Sequence, residues 1–127
     1  TYSYDTSTGT ETIVDGVNNP LLRDYAWYGG NNNNSYGANG SKEVGQKLPN
    51  GFGLYDMHGD LWEWTADLLS TYPESFTDPY CGTEGSTRVT RGGGWRDSPF
   101  YMLASFRFNY NPSYRGSVVG LRLGLHP

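Results

Sequence analysis

Glycine is spread through the whole chain and limits the length of any regular element that can form. The 127 residues include 18 glycines, and asparagine, serine and tyrosine are also frequent. Glycine favours turns, while asparagine and serine hydrogen-bond to local backbone groups outside helices. The composition therefore predicts one loop-rich domain with short strands, without a long helix or an internal repeat.

Composition and charge also narrow the classes of function. Hydrophobic residues make up only 35% of the chain, but four Trp, eleven Tyr and five Phe supply the area for a core. The net charge is −4 and the basic residues look scattered, so we expect neither a nucleic-acid partner nor membrane contact by this segment. Cys81 is the single cysteine, which excludes an intramolecular disulfide and a cysteine-based zinc cluster.

Three segments have the pattern of buried strands. In "LWEWTADLL", Trp62 and Trp64 would share one face of a strand, although Leu61, Trp64 and Leu68 also have helical spacing, so a helix stays open. "TRVTRGGGW" predicts a strand that ends at three glycines. "SVVGLRLGL" predicts a final strand with four residues on one face, namely Val119, Leu121, Leu123 and Leu125. The glycine- and asparagine-rich segment 29–42 reads as an irregular loop, with a flexible linker as the alternative.

The blocks "GQKLPNGFGLYDMHGDLWEW", "TRVTRGGGW" and "GLRLGL" occur in this order along the chain. In these blocks the chain resembles the sulfatase-modifying-factor family, which includes the formylglycine-generating enzymes. The resemblance covers roughly residues 25 to 125. It implies an α+β protein with the variant C-type lectin fold, in which residues 1–127 are a single domain. This domain would be the C-terminal part of a longer lectin-type domain.

The same resemblance gives a role to the acidic residues of "DMHGDLWE". In the family this loop holds a cation, usually calcium. Carried over by position, the metal ligands would be side-chain oxygens and backbone carbonyls of four residues, namely Asp56, Gly59, Leu61 and Glu63. Calcium prefers hard oxygen ligands, and a cation would allow carboxylates to lie among aromatic rings. The alternative is that Asp56 and Asp60 cap turns while Glu63 pairs with an arginine.

The residues of the family's oxidase chemistry are missing. Formylglycine-generating enzymes use two cysteines that bind copper and oxidise a substrate cysteine. Counted from Arg91, the matching positions are Asp97 and Met102, and neither can supply a thiolate. Cys81 lies ten residues before the motif. We therefore expect no copper and no catalytic residues.

The segment that follows the three glycines is rich in aromatic residues mixed with small polar ones. Seven aromatics occur between Trp95 and Tyr114. This mixture is typical of antibody-like binding surfaces, where rings supply contact area at low entropic cost. Some of these residues must instead pack in the core, and the core candidates are Trp95, Met102, Leu103 and Val118.

Residues 96–117 also resemble the variable region of proteins diversified by retroelements, which use the same lectin-type fold. Adenine-directed mutation in those proteins yields the residue types found here. The predicted ligand-binding positions are Arg96, Asp97, Ser98, Phe100, Tyr101, Phe106, Phe108, Asn109, Tyr110, Ser113, Tyr114, Gly116 and Ser117. Four arginines would belong to the scaffold, paired or stacked beneath the surface, namely Arg91, Arg107, Arg115 and Arg122.

The favoured hypothesis is a non-enzymatic ligand-binding module on a lectin-type scaffold, of the retroelement variable-protein kind. We expect a protein or cell-surface ligand and a location on a cell or phage surface. Two alternatives stay open. One is an oxidase-family domain that lacks its catalytic cysteines. The other is a structural domain of a larger assembly.

Overall fold

The computed structural model describes residues 2–5, 10–13, 22–32, 40–71 and 85–124, the first two ranges by their backbone alone. Three features of the sequence lie outside the described residues. They are the middle of the glycine- and asparagine-rich segment, the connection that contains Cys81, and the last residues from Leu125 onward.

Short strands and two 3-10 turns form the regular structure of the described residues, as the glycine content predicts. The strands are β1 (Tyr2–Asp5), β2 (Thr10–Ile13), β3 (Ala26–Trp27), β4 (His58–Gly59), β5 (Trp62–Leu68), β6 (Arg88–Arg91), β7 (Phe108–Tyr110) and β8 (Val119–Gly120). The 3-10 turns span Leu22–Asp24 and Pro99–Met102.

A four-stranded sheet organises the second half of the chain, with the order β7-β6-β5-β8. Strand β6 is antiparallel to both of its neighbours, while β5 and β8 are parallel. Two further pairs are the antiparallel β1 and β2 and the parallel β3 and β4. The long central strand β5 therefore holds together segments that are far apart in sequence.

The sequence of β5 explains why it is a strand and not a helix. Aromatic and β-branched side chains favour a pleated, half-buried surface, and "WEWTADL" has Trp62, Trp64 and Thr65 in its first four positions. Both tryptophan rings contact aromatic rings of residues 101–110, so they share one face of the sheet. The strand interpretation of this segment is confirmed.

The core lies around β5, β6 and the two 3-10 turns. Leu22, Ala26, Tyr28 and Met102 form one buried cluster. Separately, the residues Trp62, Val89 and Val118 are also buried. Of the core candidates, Met102 and Val118 are confirmed, whereas Trp95 and Leu103 are only partly buried.

The prediction for the C-terminal strand is wrong beyond its first residues. Strand β8 ends at Gly120, and the side chains of Leu121 and Leu123 are 71% and 85% exposed. The alternation of apolar residues is that of a strand, but no described element covers this face. The pairing of β8 with β5 ends at Gly120, so the alternating pattern alone does not make residues 121–124 a strand.

Glycine is required at two close approaches of the backbone. Gly59 has φ of +73°, and a Cβ there would lie 2.2 Å from the carbonyl oxygen of Trp27. Gly93 has φ of +77°, and a Cβ there would lie 2.8 Å from the Met102 side chain. Strand β6 therefore ends at the glycine run as predicted, and the run closes over the core.

We expect Gly59→Ala to destabilise the domain far more than Gly45→Ala. Both glycines have positive φ, but a Cβ at Gly45 meets no atom within 4 Å. The control should cost about 1 kcal/mol for the left-handed backbone alone. Gly59→Ala adds a clash with backbone and should cost roughly 3 kcal/mol or more. Urea unfolding of the two variants measures the difference, and equal losses would contradict the packing described for β4.

Candidate ligand-binding surface and acidic loop

Six aromatic rings between Phe100 and Tyr114 form two groups of three, called here together the aromatic array. Neighbouring ring centroids lie 4.4 to 5.6 Å apart, mostly edge to face. The Tyr110 and Tyr114 rings are stacked with an interplanar angle of 10°. The members of the array are Phe100, Tyr101, Phe106, Phe108, Tyr110 and Tyr114.

Trp62 lies beneath the array and joins its two halves. Its buried ring lies 6.1 Å from Phe106 and 5.5 Å from Phe108, measured between centroids. Trp64, two residues further along β5, contacts Tyr110 at 6.1 Å. The central strand of the sheet therefore supports the array from below, and the rings keep fixed positions.

None of the thirteen predicted ligand-binding positions is fully buried. Five are partly buried, namely Asp97, Tyr101, Phe106, Asn109 and Tyr110. Eight are exposed, namely Arg96, Ser98, Phe100, Phe108, Ser113, Tyr114, Gly116 and Ser117. Phe100 is the most exposed ring of the array, at 59%.

Asp97 differs from the other twelve positions because its carboxylate is hydrogen-bonded to the strand and the glycine run beneath the array. One oxygen, Oδ2, accepts hydrogen bonds from the indole N–H of Trp62 at 2.7 Å and from the Gly94 N–H at 2.9 Å. Its backbone carbonyl accepts the N–H of Gly29. The sequence treats Asp97 as a displayed residue, and the structure instead makes it a support for Trp62.

Three of the four predicted scaffold arginines are hydrogen-bonded within the protein, and the prediction is wrong for Arg115. Arg91 donates to the carbonyls of Ala104 and Phe106, while Arg107 donates to that of Ser70. Arg122 pairs with a glutamate, as described below. Arg115 is different because it is exposed, and it lines a cleft of about 570 Å³ together with Trp64, Tyr114, Gly116, Val119, Gly120 and Leu121.

The acidic loop satisfies its carboxylates with backbone donors from another segment. Asp56 and Asp60 have positive φ, 55° and 58°, which aspartate tolerates better than most residues. The Gly45 N–H donates to the Asp56 carboxylate at 2.7 Å, and the Lys42 N–H donates to that of Asp60 at 2.7 Å. Both aspartates thus hold the 42–45 segment against the loop.

Asp60 also connects two more segments through its backbone. Its N–H donates to the Trp27 carbonyl, and its carbonyl accepts the N–H of Trp95. Because the residue is buried, desolvation raises the pKa of the Asp60 carboxyl above its usual value. The hydrogen bond from Lys42 lowers this pKa in part, and the nearby charge of Asp56 raises it further.

Glu63 forms an ion pair with Arg122 on the same face. The shortest oxygen-to-nitrogen distance is 2.7 Å, and Nε of Arg122 lies within 3.0 Å of both carboxylate oxygens. The Nη2 of Arg122 also donates to the carbonyls of Tyr55 and Asp56. This hydrogen bonding to Glu63 raises the pKa of Arg122. This geometry agrees with the alternative that the sequence left open, in which Glu63 pairs with an arginine.

All four predicted calcium ligands line one cavity of about 410 Å³, together with Arg122. Within the described residues, no three side chains of His, Cys, Asp or Glu gather as a metal site, so a cation here would depend on carbonyl oxygens. With Arg122 in this position, however, both oxygens of Glu63 are already bound to a positive charge. The donor set fits calcium only if the guanidinium withdraws.

The two positions matched to the copper-binding cysteines do not form a soft-metal site. Met102 is buried in the core cluster, and Asp97 is bound to Trp62. Their side chains therefore have structural roles, and neither contributes a thiolate.

The comparison with known families decides the assignment of the chain. The family model of the sulfatase-modifying factor enzyme 1-like domain matches residues 2–125. The chain belongs to this family. Among its solved relatives, Treponema denticola variable protein 1 superposes with a TM-score of 0.66 at 39% identity, covering 79% of this chain and 35% of that one. This sulfatase-modifying-factor domain therefore has the expected variant C-type lectin fold, with few helices and many loops.

Curated relatives of this sulfatase-modifying-factor domain include enzymes. Hercynine oxygenase of Mycobacterium tuberculosis is 38% identical over 79 residues, which cover 56% of this chain and 18% of that protein. Formylglycine-generating enzyme of Mus musculus is 36% identical over 91 residues, which cover 68% and 24% respectively. The chain spans only between 18% and 24% of the length of these two proteins.

Among the described residues of this sulfatase-modifying-factor domain, no helix is long and apolar enough to cross a bilayer.

We expect Asp60→Asn to stabilise this sulfatase-modifying-factor domain at neutral pH and to make no difference in acid. Because the folded pKa of Asp60 is raised, the cost of ionisation is absent below the ordinary carboxyl pKa of about 3.9. It grows as the pH rises through the folded pKa and is complete above it. Asparagine keeps an oxygen for the Lys42 N–H and carries no charge.

The measurement is the free energy of unfolding against pH for the wild type and Asp60→Asn. The control is Asp60→Ala, which leaves the Lys42 N–H without its acceptor and should be destabilising throughout. A gap between wild type and Asp60→Asn that does not change with pH would contradict the burial of an ionised Asp60.

Calcium at the cavity of Arg122 stays a prediction, and its test uses Glu63. Added calcium should raise the melting temperature of the wild type, because ligand binding to the folded state alone is stabilising. Glu63→Gln should abolish that response, since the ligand set loses a carboxylate. Identical melting curves with calcium and with chelator would contradict the calcium site. Arg122 would then be the group that neutralises Glu63.

Proposed function

We propose that the chain is a non-enzymatic ligand-binding module whose lectin-type scaffold displays residues 96–117 as a diversified binding surface. Its ligand would be a protein or another cell-surface molecule, and its location a cell or phage surface. The likeness to Treponema denticola variable protein 1 supports this class of function over others in the family. On this proposal, the positions in 96–117 differ between copies of the protein while the sheet beneath them stays constant.

The observation that carries the proposal is the aromatic array supported by Trp62. Its rings pack against one another and against β5, so little side-chain entropy is left to lose on binding. Exposed faces of Phe100, Phe108 and Tyr114 remain available to a partner. The phenol O–H of Tyr110 can also donate a hydrogen bond, and burial, followed by Tyr114 and Asp97, raises its pKa, so it stays protonated. Rigid rings with polar tips are typical of protein-binding surfaces.

The second candidate is an oxidase-type domain, which the named enzymes among the relatives favour. Against it stand Asp97 and Met102, because neither side chain can hold copper as a thiolate does. A structural role in a larger assembly is the third candidate, and the exposed rings of the array would then face a fixed partner. The proposed ligand-binding surface accounts for the composition of residues 96–117 as well as for their exposure.

We also propose that the chain is the C-terminal part of a longer lectin-type domain whose other part covers β8. Leu121 and Leu123 follow strand β8 and are largely exposed. Val44 and Tyr55 are also exposed, and together with Leu121 they line the 410 Å³ cavity of the acidic loop. Such an apolar face is uncommon on a monomer unless something binds there. The longer lengths of the relatives make the missing part of the domain the natural occupant.

If residues 96–117 are a display surface, their exposed rings should matter little for folding. We expect Phe100→Ser to cost about 1 kcal/mol or less, the size of its ring contacts. We expect Trp62→Ala to cost roughly 3 to 5 kcal/mol, because it removes a buried ring that supports the array. Thermal and urea unfolding compare the two, and a collapse of Phe100→Ser would place that ring in the core.

The decisive test of the function is in the surrounding DNA. A near-duplicate of codons 96 to 117 beside a gene for a reverse transcriptase, with differences confined to adenines of the template, supports the proposal. A neighbourhood without such a template would contradict the retroelement assignment. Oxygen uptake with a cysteine-containing peptide, dependent on Cys81, would contradict the non-enzymatic assignment.

A further inference from the structure

The charges of the chain are strongly segregated, although its basic residues look scattered at first reading. Residues 1–87 hold three basic and twelve acidic side chains, a net charge of −9. Residues 88–127 hold six arginines and one aspartate, a net charge of +5. The positive part of the chain is therefore the part that contains the aromatic array.

Most of these arginines are used within the protein. Arg88, Arg91 and Arg107 donate to backbone carbonyls, and Arg122 pairs with Glu63. The one acid of the region, Asp97, has its carboxylate bound to Trp62 and Gly94. Among residues 88–124, a partner protein would therefore meet no exposed carboxylate. The charged groups left to bind it there are the two remaining arginines.

The two remaining arginines, Arg96 and Arg115, lie near the end of the array that holds Tyr110 and Tyr114. Arg96 is exposed, lies over the Trp95 ring at 6.0 Å, and acts electrostatically on Tyr110. Arg115 is exposed and lines the 570 Å³ cleft beside Tyr114. Neither guanidinium has an ion-pair partner among the described residues. Within the part of the chain that the structure describes, both are therefore exposed without a carboxylate partner, next to rings that a partner protein would cover.

From this arrangement we infer that the surface binds an acidic, apolar segment of a partner protein, an inference that rests on the proposed function. Apolar side chains of the segment cover the rings, and its carboxylates bind Arg96 and Arg115. A guanidinium matches a carboxylate with two parallel hydrogen bonds, and the pairing gains strength where the rings exclude water. Tyrosine and arginine are also the residue types that dominate binding energy at interfaces.

A single-stranded nucleic acid would also stack on rings and contact arginines. Two displayed guanidinium groups offer few phosphate contacts, and the chain as a whole carries a net charge of −4. A polyanion is therefore repelled by most of the molecule, whereas a short acidic segment contacts only the positive part. The observations favour the protein segment.

The probe is a library of random twelve-residue peptides displayed on phage, selected on the purified chain. We expect the selected peptides to be enriched in Asp and Glu next to apolar or aromatic residues, relative to the unselected library. One selected peptide is then synthesised and titrated against variants by fluorescence anisotropy. Arg96→Gln and Arg115→Gln should each weaken its binding by about tenfold, the loss of one charged pair at an interface. Added salt should weaken it as well.

The matched control is Arg23→Gln, which removes the same charge from the first 3-10 turn and should leave binding unchanged. Selected peptides without an acidic bias, or with affinities unaffected by both arginine variants, would overturn the acidic-segment inference and leave the display surface standing. Tighter binding of an oligothymidylate than of the selected peptides would overturn it in favour of nucleic acid. Peptides that bind Phe100→Ser and wild type equally would count against the proposed function itself.

Discussion

The hydrogen bond between the Trp62 indole N–H and the Asp97 carboxylate is the interaction on which the candidate surface depends. It joins the central strand β5 to the loop that follows the glycine run, 35 residues later in the chain. Without Asp97, a buried indole N–H and the Gly94 N–H would both lose their acceptor, which is costly in a dry environment. Because Trp62 contacts Tyr101, Phe106 and Phe108, any shift of its ring moves the array.

This bond also divides residues 96–117 into positions that can vary freely and positions that cannot. Phe100 and Tyr114 expose much of their surface, so a change there removes ring contacts at the rim of the array. Asp97 accepts the Trp62 and Gly94 N–H groups, so a substitution there leaves both without their acceptor. A diversified protein with this scaffold would therefore tolerate substitutions unevenly along the segment, with stability set by the constant strand beneath it.

Local patterns predicted the parts of the structure that local chemistry determines. The strand at Trp62–Leu68, the end of β6 at the glycine run, and the burial of Met102 all follow from residue type and spacing. The role of Asp97 did not, since it depends on a tryptophan that only the tertiary fold brings near. The leucines after β8 show the converse: their alternation is typical of a strand, but the pairing of β8 with β5 ends at Gly120 and the leucine side chains are exposed.

The acidic loop shows how one chain can hold carboxylates among aromatic rings by giving each carboxylate a hydrogen-bonding partner of its own. Asp56 and Asp60 accept backbone N–H groups at left-handed positions, and Glu63 accepts the Arg122 guanidinium. Arg122 also binds two carbonyls of the loop, so it supplies positive charge to the cavity in which calcium is predicted. Calcium and arginine would compete for the same oxygens. The guanidinium comes on the chain itself, so it loses no translational freedom on binding, whereas a free ion does.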